Sequence, residues 1–147
     1  MNLKNLSKNL VKFLKLSNQF LIVASLFLSA SIFPAVQVIK PSDNSYQDIQ
    51  EALILAEPGD IIRLSAGVFS LEDSLSLDVA DVQIEGEGMS QTILDFSNQL
   101  SGAQGLSVTS NNVTLQDFAI QNAKGDAIKV KGVTNIKFLR VKTEWTN

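Results

Sequence analysis

The sequence predicts an all-β chain, a solenoid of short parallel strands, on three observations. Apolar residues alternate in very short runs: Ile62-Leu64, Leu75-Leu77, Val82-Ile84, Leu106-Val108, Val113-Leu115, Phe118-Ile120, Ile128-Val130 and Ile136-Phe138. Gly, Asn, Asp or Ser separates them, and no helix-length segment intervenes. The runs also recur at fixed spacing. Asn112–Phe118 aligns with Asn135–Val141 at an offset of 23, and Leu106 and Val108 align with Ile128 and Val130 at 22. Leu75, Leu77, Val82 and Ile84 align with Leu106, Val108, Val113 and Leu115, all at 31. Self-similarity at such a period is the mark of a solenoid. Finally, one repeat divides into three strands and three corners: Asp126–Val130, a turn at Lys131–Thr134, Asn135–Phe138, a two-residue corner at Leu139-Arg140, then Val141–Trp145. Stacked coils of that kind form three parallel sheets rising about 4.8 Å per rung, around one continuous apolar core.

The offset of 31 holds across two separate strands, which predicts a single insertion in the stretch Glu85–Gly105. That stretch holds Gly86-Glu87-Gly88. A dinucleotide loop needs a third glycine three residues on and a helix after it. Here Gln91 occupies that place and the β-type segment Thr92-Ile93-Leu94-Asp95-Phe96 follows, while Glu85 and Glu87 would repel phosphate. The glycines are read instead as a sharp corner between strands.

Ahead of the solenoid, Ser42–Ala56 reads as a short amphipathic helix. Ile49, Ala52, Leu53 and Ala56 share one face, Ser45 is the expected N-cap with Asp48 three residues on, and Glu57-Pro58-Gly59-Asp60 ends it. The N-terminus is of another kind. Residues 1–36 hold four lysines and no acid, and Phe20–Phe33 is an apolar run ending among Ser29, Ala30 and Ser31. A basic stretch followed by an apolar run is the pattern of a secretion signal. The expected organisation is therefore 1–36 as a cleaved signal, 37–60 as linker and capping helix, and 61–147 as coils. The location that follows is secreted or periplasmic; an uncleaved membrane anchor over residues 20–38 is the alternative.

Composition excludes several chemistries. With no cysteine and no histidine among 147 residues, there is no disulfide, thiol nucleophile, histidine base or zinc site built on either residue. From Gln37 onward, eight Lys and Arg face fifteen Asp and Glu, a formal charge of −7. An acidic body disfavours nucleic acid, because phosphate neutralisation needs a basic face. A monomer is expected.

The segment Ile49–Phe69, with its amphipathic helix, Pro58-Gly59-Asp60, alternating apolar residues and Ala66-Gly67-Val68-Phe69, resembles the N-terminal cap and first coil of pectate-lyase-like (pectin lyase-like) proteins. Val82–Phe96 resembles the next coil of that group, and Asn122–Val141 resembles its regular coils. The likeness covers about residues 46–147. It departs from the usual pattern in having Ala66 where proline is common and Phe69 where tyrosine is. What the resemblance implies is a right-handed, single-stranded parallel β-helix, an exported protein, and action on or binding of acidic polysaccharide. It also implies that a longer solenoid with further coils, a lyase, epimerase or hydrolase, would carry its catalytic residues beyond this stretch, leaving a fragment without most of its active site. A non-catalytic carbohydrate-binding or cell-surface module and a nonfunctional truncated product are the alternatives. Lyases of this fold use Ca²⁺ held by carboxylates with an Arg or Lys base, and hydrolases use clustered aspartates. Ca²⁺ thus enters by resemblance alone, since no dense aspartate cluster is visible in the sequence.

The candidate substrate-binding residues are Asp117, Asp126, Lys129, Arg140 and Trp145. Asp117 and Arg140 take the same corner one coil apart, either as a charged pair toward substrate or as an ion pair across two rungs. Asp126 and Lys129, with Lys131, Lys137 and Lys142, are expected to line a groove for an acidic sugar chain or to be plain solvated positions. Trp145 offers a ring for stacking on sugar or for packing on a further coil. Asp95 is a possible ligand but reads better as a turn former.

Overall fold

The computed structural model describes residues 33–145. The secretion-signal or anchor segment lies almost wholly outside them. Among the described residues no helix is long and apolar enough to cross a membrane. The elements are β1 (Val36–Ile39), α1 (Ser45–Leu55), β2 (Ile61–Leu64), β3 (Gly67–Ser70), β4 (Leu75–Leu77), β5 (Gln83–Glu85), β6 (Thr92–Asp95), β7 (Gln104–Val108), β8 (Thr114–Gln121), β9 (Asp126–Val130) and β10 (Lys137–Glu144). The fold is mostly parallel β-sheet with one helix, stacked as a solenoid.

Every strand pairing is parallel, and each joins equivalent positions one coil apart. The first face runs β1, β2, β5, the N-terminal half of β8 and the N-terminal half of β10. The second runs β3, β6 and the C-terminal halves of β8 and β10. The third is β4, β7 and β9. The registers match the sequence alignment: Leu75 pairs with Leu106, Leu106 with Ile128, and Leu115 with Phe138. Alternate side chains point inward and stack in columns. Ile62, Ile84 and Leu115 form one and Phe69, Leu94 and Ile120 another, all with at most 2% exposure. Burying each such side chain is worth about 1.5–3 kcal/mol.

Two corners recur because single residues adopt the left-handed conformation. Before the first face, Gly59, Asp81, Asn112 and Asn135 sit in one column, each with positive φ. Asp and Asn accept that conformation better than other side chains do, and here they gain by it: the Asn112 amide donates to Asp81 Oδ1 at 2.9 Å, and Asn135 to Asn112 Oδ1 at 2.9 Å. Between the first and second faces the bend is a single residue, Asp117 in one coil and Arg140 in the next. The expected two-residue corner is thus corrected. Leu139 remains in the ladder, paired with Gln116, and only Arg140 turns.

The predicted single insertion is also corrected. Between the second and third full coils the offset is 31 on the first face, 26 on the second and 22 on the third. Extra residues therefore sit at two corners, five at Gly86–Gln91 and four at Phe96–Ala103. Gly86 lies where a Cβ would come within 2.3 Å of the Asp117 carbonyl oxygen, so no larger residue fits beneath that bend. The wider corners are pinned by buried polar side chains. Thr92 Oγ1 accepts from the Glu87 amide at 2.9 Å, and Gln99 bridges Ser74 Oγ, the Gln104 carbonyl and the Lys124 amide. No buried side-chain polar atom lacks a partner among the described residues.

The helix α1 covers the core's first end with Ile49, Ala52 and Leu53 buried and Ala56 packed at the edge, as its spacing predicts. Its start differs. Asn44 is the N-cap, and Ser45 is already helical and buried. Ser45 Oγ donates to the Ser42 carbonyl at 2.6 Å, while Asp48 accepts from Ser42 Oγ at 2.7 Å instead of closing a box with Ser45. The helix ends where Ala56 turns extended ahead of Pro58, and Asp60 closes the turn by accepting from the Glu57 amide at 2.9 Å. The other oxygen of Asp60 accepts from the Ala35 amide at 2.9 Å, tying down β1. That strand was not foreseen: Val36–Ile39 pairs with β2 although it reads as the tail of the N-terminal apolar run.

Candidate functional site

The five candidate residues occupy three places. Asp117 and Arg140 stand at the corner between the first and second faces, where their backbones turn in register. The guanidinium donates from Nε to Asp117 Oδ1 and from its terminal nitrogen to Oδ2 at 2.7 Å, a two-pronged pair. The hydrogen bond from Arg140, with its charge, holds the Asp117 carboxyl below the usual carboxylate range, and Asp117 raises Arg140 in return. Both side chains are partly to largely solvent-exposed, so the pair contributes little to stability. A carboxylate and a cation satisfied by each other are poorly placed to serve as base or ligand.

Asp126 and Lys129 line one open cavity of about 870 Å³ at the last coil, walled by Lys124, Ile128, Phe138 and Val141. Trp145 stands apart, 78% exposed, one coil beyond Asn122 at the corner between the second and third faces. Asn122 donates to Asp95 Oδ1 at 2.8 Å, and Asp95 also accepts from the Ser97 amide, so Asp95 is a turn residue.

The lysines expected in one groove are on three different faces. Lys137 succeeds Thr114 on the first face, Lys142 succeeds Ala119 on the second, and Lys129 succeeds Ser107 on the third. Arg140 succeeds Asp117 at the corner. The cations form a belt around the last coil, not the lining of a channel. The only ion pairs in this belt among the described residues are Arg140 with Asp117 and Lys142 with Glu144. Charge is therefore partitioned along the axis: residues 124–147 carry six cations and two carboxylates, whereas 37–123 carry two cations and thirteen carboxylates. Counting charge by coil instead of over the whole body would have found this.

The Ca²⁺ implied by the resemblance finds no ready ligand set among the described residues. Among the described residues no three carboxylates lie close enough together to hold a metal ion, and those at the corners, Asp81, Asp95 and Asp117, are engaged by amide or guanidinium donors. What the arrangement offers chemically is exposed positive charge, outside any ion pair at Lys129 and Lys137 among the described residues.

No protein-family model, no curated protein and no solved structure matches this chain.

Proposed function

We propose that this chain is an exported, right-handed parallel β-helix module that binds acidic polysaccharide through the cationic belt of its last coil. The observation that carries the reading is the register itself. Outward positions that are neutral one rung earlier become Lys129 and Lys137, both exposed and outside every ion pair among the described residues, beside Arg140 and Lys142, whose charges are shared with Asp117 and Glu144. A uronate chain brings one carboxylate per sugar, so one laid across the corner between the third and first faces meets both Lys129 and Lys137. The right hand and the export come from the resemblance of Ile49–Phe69 and from the basic-then-apolar N-terminus.

The test is titration of the full chain with oligogalacturonate and oligoalginate at low and physiological salt. Binding should weaken as salt rises, because exposed charges are screened over about 8 Å at physiological strength. Lys129→Glu with Lys137→Glu should weaken it by at least about tenfold, the loss of two charge-assisted contacts. Equal affinity for a double-stranded DNA of similar charge would show a generic polyanion surface and defeat the uronate reading, as would no binding at low salt. Growth of unsaturated-uronate absorbance during incubation would move the reading from binding to lyase action.

A further inference from the structure

A second recess of about 640 Å³ lies at the corner between the second and third faces, under the start of α1. Four successive levels of the fold build it. Tyr46 and Gln47 come from the helix, Glu72 from the first corner, Asn98 and Leu100 from the widened second corner, and Lys124 from the third. Its wall is braced by hydrogen bonds. The four extra residues of the second corner are clamped by Gln99, 2% exposed, and by the Leu100 amide donating to the Glu72 carbonyl at 2.7 Å. Two polar groups are set in place by bonds that leave an acceptor over. The Gln47 amide donates to Glu72 Oε1 at 2.8 Å, leaving Oε2, and the Asn98 amide donates to Ser70 Oγ at 3.0 Å, leaving its carbonyl oxygen.

Beside these acceptors stand two apolar surfaces, the half-buried ring of Tyr46 and the side chain of Leu100, 81% exposed. Burial, then the charges of Asp73 and Glu72, raises the Tyr46 hydroxyl above its ordinary range. Asp43 and Glu72 outnumber Lys124 in the lining, and no salt bridge to Lys124 occurs among the described residues. An anionic sugar would meet carboxylates here.

We propose that this recess binds a neutral, hydroxyl-rich saccharide. A sugar ring presents C–H faces to Tyr46 and Leu100 and hydroxyls to Glu72 Oε2 and the Asn98 carbonyl, and the net negative lining excludes uronates. Aromatic bodies with a polar tip suit such half-wet contacts, and a few fixed polar groups in a concave wall set orientation. The recess and the cationic belt would then take different sugars, so a glycan of mixed charge would be held at two points.

The experiment titrates the full chain with neutral β-glucan, mannan and xylan hexamers and with hexagalacturonate, by calorimetry. The variants are Tyr46→Leu, Glu72→Ala and Lys129→Glu. At least one neutral hexamer should bind saturably, with affinity lowered about tenfold or more by Glu72→Ala, the loss of an acceptor of charge-assisted hydrogen bonds. Tyr46→Leu should weaken it too, and Lys129→Glu should leave it unchanged. Glu72 is exposed, so its removal keeps the test valid even if Tyr46→Leu disturbs the helix. No saturable neutral-sugar binding, or binding equal in wild type and Glu72→Ala, overturns the proposal. Failure of the uronate reading shows separately, as absent hexagalacturonate binding with neutral-sugar binding intact.

Discussion

Leu115 and Phe138 face each other in register across one rung, yet Leu115 is fully buried and Phe138 is 49% exposed. Val108 and Val130 repeat the contrast on the third face, at 0% and 39%. Each pair shares a column and an apolar character, and what differs is the neighbours. Leu115 has Ile84 on one side and Phe138 on the other, whereas Phe138 has Leu115 on one side only among the described residues. In a solenoid, burial belongs to the stack more than to the residue. The same two regions differ in charge: the inner coils bind their polar side chains into corner clamps, and the last coil turns lysines outward.

The largest effect should break this comparison most directly. Leu115→Ala leaves a cavity in a closed column and should cost about 2–5 kcal/mol in urea unfolding, whereas Phe138→Ala should fall well below the usual cost of a buried aromatic truncation. Equal losses would mean that the last coil is as well enclosed as the inner ones.

Next comes a pair of glycines. Gly86→Ala drives a methyl into the Asp117 carbonyl and Thr92, both held by the next strands, and should cost about 1–3 kcal/mol of overpacking. Gly59→Asn meets nothing within 4 Å of its would-be Cβ, but φ there is +102°, beyond the +58° to +62° of Asp81, Asn112 and Asn135, so it should cost only about 1 kcal/mol, from backbone strain alone. Thermal melts of the two variants sharpen the difference between a crowded inner corner and an open one.

The smallest effect is expected at the Asp117–Arg140 pair, where inner and last coils meet. The folded carboxyl is lowered, so its contribution is present above the unfolded value of about 3.9 and is lost as pH falls through the folded value. Arg140→Ala should therefore leave the melting temperature nearly unchanged at neutral pH and flatten its slope below about pH 4. A large neutral-pH loss in that variant would show that the corner depends on the pair and not on its left-handed backbone.

Much of this fold was legible before any coordinates. The alternation of short apolar runs and the offsets of 22, 23 and 31 identify which residues share a column, and the ladders follow them pair by pair. The apolar face of α1 and the turn at Pro58-Gly59-Asp60 were equally plain, and the lack of cysteine and histidine removed whole classes of chemistry. Those features are local or periodic, so a linear reading captures them: side chains alternate on a strand, and a helix repeats every 3.6 residues.

Tertiary structure alone decided the rest. An offset says how many residues a coil gained but not at which corner, and only pairing on the second face divided the nine between Gly86–Gln91 and Phe96–Ala103. Lys129, Lys137 and Lys142 look like one run of cations in sequence, but a corner made by a single left-handed residue, Arg140, sends Lys137 and Lys142 to different faces. The recess beside Tyr46 draws its wall from residues up to 82 positions apart, Ser42 to Lys124. Period fixes the columns, while the direction each column faces depends on how sharply every corner between them turns, and that is settled only when the coils stack.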